Sequence, residues 1–80
     1  MPKLHVQYFA ILREQRGQSE EQLATNSTTP AALYDELRAR HGFTLPRERI
    51  RAAVNDAFVD AASVLRDGDR VVFIPPVAGG

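Results

Sequence analysis

The sequence predicts an α+β domain: a mixed sheet crossed by one main helix, with its first and last strands side by side and parallel. Three observations carry this. Leu4, Val6 and Tyr8 alternate with His5, Gln7 and Phe9, the period of two of a strand. Thr29-Pro30 opens a helical stretch that runs to His41-Gly42. Val71-Val72-Phe73-Ile74 is an unbroken apolar run, as expected of a strand buried on both faces.

Taken in order, the first strand is expected over residues 3–10. Ile11 to Arg16 then reads as a short helical turn stopped by Gly17. Residues 20–24 form a weaker strand, with Leu23 as its apolar contact, returning beside the first as a loose hairpin. Asn26-Ser27-Thr28-Thr29 is a polar loop. The helix over 30–41 has Thr29 as its N-cap and proline at its first position, where no N–H is needed. Leu33 and Leu37 share a face, and Arg38, Arg40 and His41 sit where the helix dipole favours positive charge. Gly42 ends it, and Phe43-Thr44-Leu45-Pro46 links onward with apolar residues that tuck under the helix. Residues 51–54 are a third strand, 55–57 its turn, and Phe58-Val59 the start of the return. Asp67-Gly68-Asp69 is a strong turn signal ahead of a last strand over 70–74.

The order is thus β-β-α-β-β-β. The two strands with the strongest apolar patterns are placed at the sheet centre, parallel because the helix supplies the crossover. This is the β-grasp arrangement. One domain spans 1–74, and 75–80 is an extended tail.

Composition narrows the function. Eighty residues make one domain, and ten basic residues balance ten acidic ones. Nucleic-acid and membrane-surface roles usually need a positive excess, so both are disfavoured. The run Arg47, Arg49, Arg51 reads as a solvated face. There is no cysteine, so disulfides, thiolate catalysis and cysteine metal sites are excluded. No apolar stretch approaches the roughly 20 residues of a membrane span. Met1-Pro2-Lys3-Leu4-His5 has no signal-peptide run, which makes a cytoplasmic location the expectation.

The familiar catalytic motifs are missing: no G-x-S-x-G, no H-E-x-x-H, no P-loop and no G-x-G-x-x-G. His5 and His41 lack metal-ligand companions and read as a strand-surface and a helix-end residue. Asp67 and Asp69 read as a β-turn, because the further oxygen ligands of a calcium loop are absent.

The tail stands out. Pro75 and Pro76 cannot continue sheet pairing and set an extended path. Six residues, Pro75 to Gly80, reach roughly 20 Å. Val77 and Ala78 are small, and Gly79 and Gly80 can thread a channel too narrow for any side chain. The unhindered carboxyl of Gly80 is suited to activation as an acyl-adenylate. A second feature is the sheet's outer surface. Phe9 and Ile74 are out of phase with the core-facing residues of their strands, and Phe58 follows a turn. Either these three stand exposed together as a partner surface, or local twist and bulges tuck them inside.

With these residues in view, the chain resembles the small subunits of molybdopterin synthase, the MoaD-type sulfur carriers. The likeness rests on Tyr8-Phe9-Ala10 with Arg13-Glu14 and Gly17, Thr29-Pro30-Ala31-Ala32-Leu33, Ala52-Ala53-Val54-Asn55, and Leu65 with Asp67-Gly68-Asp69. Its most specific part is the ending Phe73-Ile74-Pro75-Pro76-Val77-Ala78-Gly79-Gly80. Residues 24–28 and 43–50 carry little of it. The resemblance implies a ubiquitin-like β-grasp fold and a carrier that is not catalytic alone. An activating enzyme of the E1-like class, using ATP and magnesium, would adenylate Gly80, and the adenylate would become a thiocarboxylate. The tail, Gly79 and Gly80 leading, would enter the active site of the large synthase subunit and give sulfur to cyclic pyranopterin monophosphate. The implied assembly is a heterotetramer, and the implied contact face is Phe9, Phe58 and Ile74. Without cysteine, any carried sulfur must sit on the terminal carboxyl carbon, and the partner must supply acid and base.

Three rivals remain open: a sulfur carrier for thiamine thiazole synthesis, a ubiquitin-like modifier joined to lysine through Gly80, and a plain binding module with an inert tail. Pro75-Pro76, Phe73 and Arg13-Glu14 favour the molybdopterin branch over the first.

Overall fold

Five strands form one sheet in the order β2-β1-β5-β3-β4 in a computed structural model of the chain, which describes residues 2–76. The strands are β1 (Lys3–Tyr8), β2 (Glu20–Ala24), β3 (Arg51–Val54), β4 (Ala57–Val59) and β5 (Arg70–Ile74). Two helices, α1 (Ala10–Arg16) and α2 (Pro30–His41), and a single 3-10 turn (Arg47–Arg49) complete it. β1 and β5 pair in parallel, with Val6 opposite Val71 and Tyr8 opposite Phe73. The other pairings are antiparallel. The expected β-grasp is therefore present, with the first and last strands adjacent at its centre.

The pattern that predicted the strands also sorts their faces. Leu4, Val6, Tyr8, Val71 and Phe73 are almost fully buried against Leu33, Tyr34 and Leu37 of α2. Leu12 of α1, Leu23 of β2, Phe43 and Leu65 close the same core. Each large side chain so buried contributes about 1.5–3 kcal/mol of transfer free energy. Phe43 reaches the core as its segment was expected to: it stacks on Tyr34 at 5.9 Å and meets Tyr8 edge-on at 5.8 Å. The Tyr34 hydroxyl donates to the Leu45 carbonyl at 2.8 Å. At the helix start, Thr29 Oγ1 accepts from the Ala32 N–H at 3.1 Å, and Pro30 occupies the first turn.

Two boundaries differ from the sequence reading. β1 ends at Tyr8 instead of residue 10, and α1 is a full helix of seven residues that begins at Ala10. The cause is Ala10 itself, whose φ of 52° turns the chain sharply from strand into helix. Phe9 is then the residue before the helix, and its N-cap position, not strand alternation, sets where it stands. At the other hairpin, Asn55 and Asp56 both have positive φ, 50° and 74°. These two residues make the whole turn, so β4 begins at Ala57 and pairs it with Val54.

Candidate functional site

The inter-strand register defines an outer face, opposite α2. One row across it reads Gln7, Val72, Ala53 and Phe58, each directly beside the next. The adjoining row pairs Ile74 with Arg51. Val72 and Ala53 are covered by their neighbours, whereas Phe58 is 65% exposed. Phe9 is 42% exposed and Ile74 is half-buried. Of the three apolar residues singled out from the sequence, Phe9 and Phe58 are thus exposed and Ile74 partly so. Ile11, also exposed, stands two positions beyond Phe9.

Arg51 shapes this face. Its guanidinium lies over the Phe58 ring, 5.5 Å from the centroid. Such stacking restrains a long side chain and contributes about 0.5–1 kcal/mol at an exposed site. A groove of about 670 Å³ adjoins it between α2 and the β3–β4 hairpin, lined by Tyr34, Arg47, Ile50 and Asp60 as well as Arg51 and Phe58. The sequence reading assigned Arg51 to a solvated face. Only the antiparallel pairing of β3 with β4 and β5 shows that its neighbours are Phe58 and Ile74.

β5 leaves the sheet at Ile74, beside Arg51. Pro75 is still buried, and the described chain emerges at Pro76. Val77, Ala78, Gly79 and Gly80, on which the sequence placed the chemistry, lie outside the described residues.

Four of the shifted titratable groups gather elsewhere, on the core side of the sheet. Arg16 donates to both oxygens of Glu21, at 2.8 and 3.0 Å, and the Tyr8 hydroxyl donates to the same carboxylate at 2.6 Å. The Arg16 hydrogen bonds, helped by Tyr8, hold the Glu21 carboxyl at about 2 against the opposing effect of burial. Burial first, then Glu21, pushes the Tyr8 hydroxyl well above its usual value. His41, at the end of α2 as expected, has its Nε2 3.9 Å from Glu21, and that nitrogen makes no hydrogen bond among the described residues. Burial, then the Arg16 charge, lowers its pKa. This cluster ties β1, α1, β2 and α2 together and stays clear of the outer face.

The acidic turn is structural too. Asp67 accepts from the Lys3 N–H at 2.7 Å, and Asp69 accepts from the Arg66 N–H at 2.8 Å and the Asn55 amide at 3.0 Å. Gly68 between them has a φ of 87°. The carboxylates are committed to the turn, in keeping with its reading as a β-turn.

β5 thus ends at the sheet centre, beside an exposed apolar face. Residues 6–80 match the ThiS family. The chain belongs to that family. It is 38% identical over 87 residues to the molybdopterin synthase sulfur carrier subunit of Mycobacterium tuberculosis, covering all of both chains. Among solved structures, the putative molybdopterin converting factor, subunit 1, of Pyrococcus furiosus superposes with a TM-score of 0.79. It is 30% identical, with 96% of this chain and 100% of that one covered. SAMP1 of Haloferax volcanii, a small archaeal modifier protein, gives a TM-score of 0.78 at 22% identity over 98% and 99% of the two chains, a likeness of fold. The resemblance to molybdopterin synthase small subunits read from the sequence is borne out, as is the ubiquitin-like β-grasp.

Proposed function

We propose that this ThiS-family chain is the sulfur-carrying small subunit of a molybdopterin synthase, with the carboxyl carbon of Gly80 as the atom that bears the sulfur. The observation that carries the reading is the full-length likeness to molybdopterin synthase sulfur carrier subunits, ending in Gly79-Gly80. The root of the tail supports it. β5 is the central strand, paired on both sides, so the chain leaving at Pro76 starts from a firmly held point.

In this reading an E1-like enzyme, with ATP and magnesium, joins AMP to the Gly80 carboxylate and releases pyrophosphate. A sulfur donor then displaces AMP, leaving a thiocarboxylate. The outer face, through Phe9, Phe58 and Ile74, docks on the large subunit, and the tail carries its sulfur to cyclic pyranopterin monophosphate there. Two small subunits flank a dimer of large ones in the cytoplasm. The chain itself contributes binding and reach, and the large subunit contributes proton transfer. No cofactor is held by the carrier; ATP and magnesium belong to the activating enzyme.

Intact-mass measurement after incubation with an activating enzyme, ATP and a sulfur donor tests this. Exchange of one oxygen for sulfur at Gly80 is expected. Adducts on lysine alone would instead assign a ubiquitin-like modifier. A chain left unchanged by every such enzyme would leave a binding module with an inert tail.

The match to a family called ThiS keeps a second reading in play, sulfur delivery to thiamine thiazole synthesis. The two differ in the acceptor. Sulfur passing to cyclic pyranopterin monophosphate in the presence of a synthase large subunit supports the first, and passage only with a thiazole synthase the second.

A further inference from the structure

We propose that Arg51 is a specificity-determining contact that takes a carboxylate of the large subunit docked on the outer face. The inference rests on the docking reading given above and adds the chemistry that its partner must present.

The charges on this face are unequal in their commitments. His5 Nε2 lies 3.6 Å from Glu20. Arg70 holds both oxygens of Asp56, at 3.0 and 3.2 Å. Arg47, from the same basic run as Arg51, is paired with Asp35 at 2.8 Å, and Arg49 lies on the 3-10 turn, off the sheet. Arg51 has no carboxylate partner among the described residues. Its only partner there is the Phe58 ring.

Position makes that charge matter. Arg51 stands opposite Ile74, the last residue of β5, and against Phe58, the most exposed aromatic of the face. A partner that covers Phe58 and Ile74 must also remove water from the guanidinium stacked on Phe58. A desolvated cation without a counter-charge opposes binding, and a well-placed carboxylate reverses the sign. Stacking on Phe58 already fixes the side chain, so little freedom is lost when its planar donors meet a carboxylate in a two-pronged pair. A purely apolar partner would fit Phe58 and Ile74 yet strand Arg51. The geometry therefore calls for an apolar socket for Phe58 with an Asp or Glu at its edge.

The test measures the affinity of the full chain for its large subunit, for the natural sequence and for Arg51→Met, Arg51→Glu and Phe58→Asp. Each is measured from about 0.1 M to about 1 M salt, over which the screening length falls from ~10 Å to ~3 Å. Thermal unfolding of each variant alone confirms that these exposed changes leave the fold intact. Arg51→Met is expected to bind about tenfold or more weakly and to lose most of the salt dependence, and Arg51→Glu to bind more weakly still. If Arg51→Met binds as well as the natural chain with the same salt dependence while Phe58→Asp fails, the face docks but Arg51 does not select its partner, and the inference is overturned. If the natural chain does not bind the large subunit, or Phe58→Asp binds undiminished, the docking reading itself falls.

Discussion

The Tyr8 hydroxyl and the Glu21 carboxylate meet at 2.6 Å across the β1–β2 hairpin, with Arg16 clamped to the same carboxylate. Glu21 keeps its charge because three donor groups converge on it. Its folded pKa of about 2 lies below the unfolded value of about 4.5. The stabilisation is therefore complete above the unfolded value and fades as pH falls toward about 2. Urea unfolding across that window should show stability falling with acid. Glu21→Gln should flatten this dependence and lower stability near neutrality by about 2 kcal/mol, the scale of a charge-assisted hydrogen bond. An unchanged acid profile in the variant would remove Glu21 as its source.

His41 acts in a neighbouring range. It is held in the neutral form by burial and by the Arg16 and Arg40 charges, with Glu21 pulling the other way. The unfolded imidazole takes up a proton more readily than the folded one, so acid favours unfolding. Stability should thus drop as pH falls through the unfolded imidazole value of about 6.5. NMR titration of the His41 ring should give a midpoint below that value, and His41→Gln should abolish the drop.

Ala10 carries a conformational cost at a chosen place. A left-handed φ costs an L-residue about 1–2 kcal/mol, whereas glycine enters that region freely at an entropic cost of about 0.5–1 kcal/mol. Ala10→Gly should raise the melting temperature modestly, by up to about 1 kcal/mol of stability. The β-branched Ala10→Val should lower it. A destabilised glycine variant would show that the turn is not strained.

The cap of α2 offers a calibrating case. Thr29→Ala removes the acceptor for the Ala32 N–H and should cost about 1 kcal/mol in denaturant titration, while Thr29→Ser should be nearly neutral.

Much of the architecture could be read from the chain because its signals are local. Thr29-Pro30 and Gly42 bracket α2, the alternation of Leu4, Val6 and Tyr8 marks β1, and Val71 to Ile74 marks β5. The two misplaced boundaries have local signals of the wrong kind. Alanine gives no hint of a left-handed φ at position 10, and Asn55-Asp56 lacks the glycine that advertises a two-residue hairpin turn. The site divides in the same way. The exposure of Ile74 is legible from its phase in β5 and that of Phe58 from the turn before it, whereas Phe9 stands where the start of α1 puts it. Arg51 is not legible in this way, because its meaning depends on cross-strand neighbours. The cluster of Tyr8, Arg16, Glu21 and His41 is assembled from four elements, and nothing in the spacing of those residues announces it.

The parallel pairing of β1 with β5 has a practical corollary. Both strands point the same way, so the chain enters the sheet at one pole and departs at the other. The six residues of β1 separate the poles by about 20 Å. A fluorophore or an affinity handle attached ahead of Lys3 will therefore sit a full strand length from Pro76. The protein can be immobilised by that pole with the Pro76 end of the sheet facing solution, an orientation suited to surface-based measurement of every partner considered above.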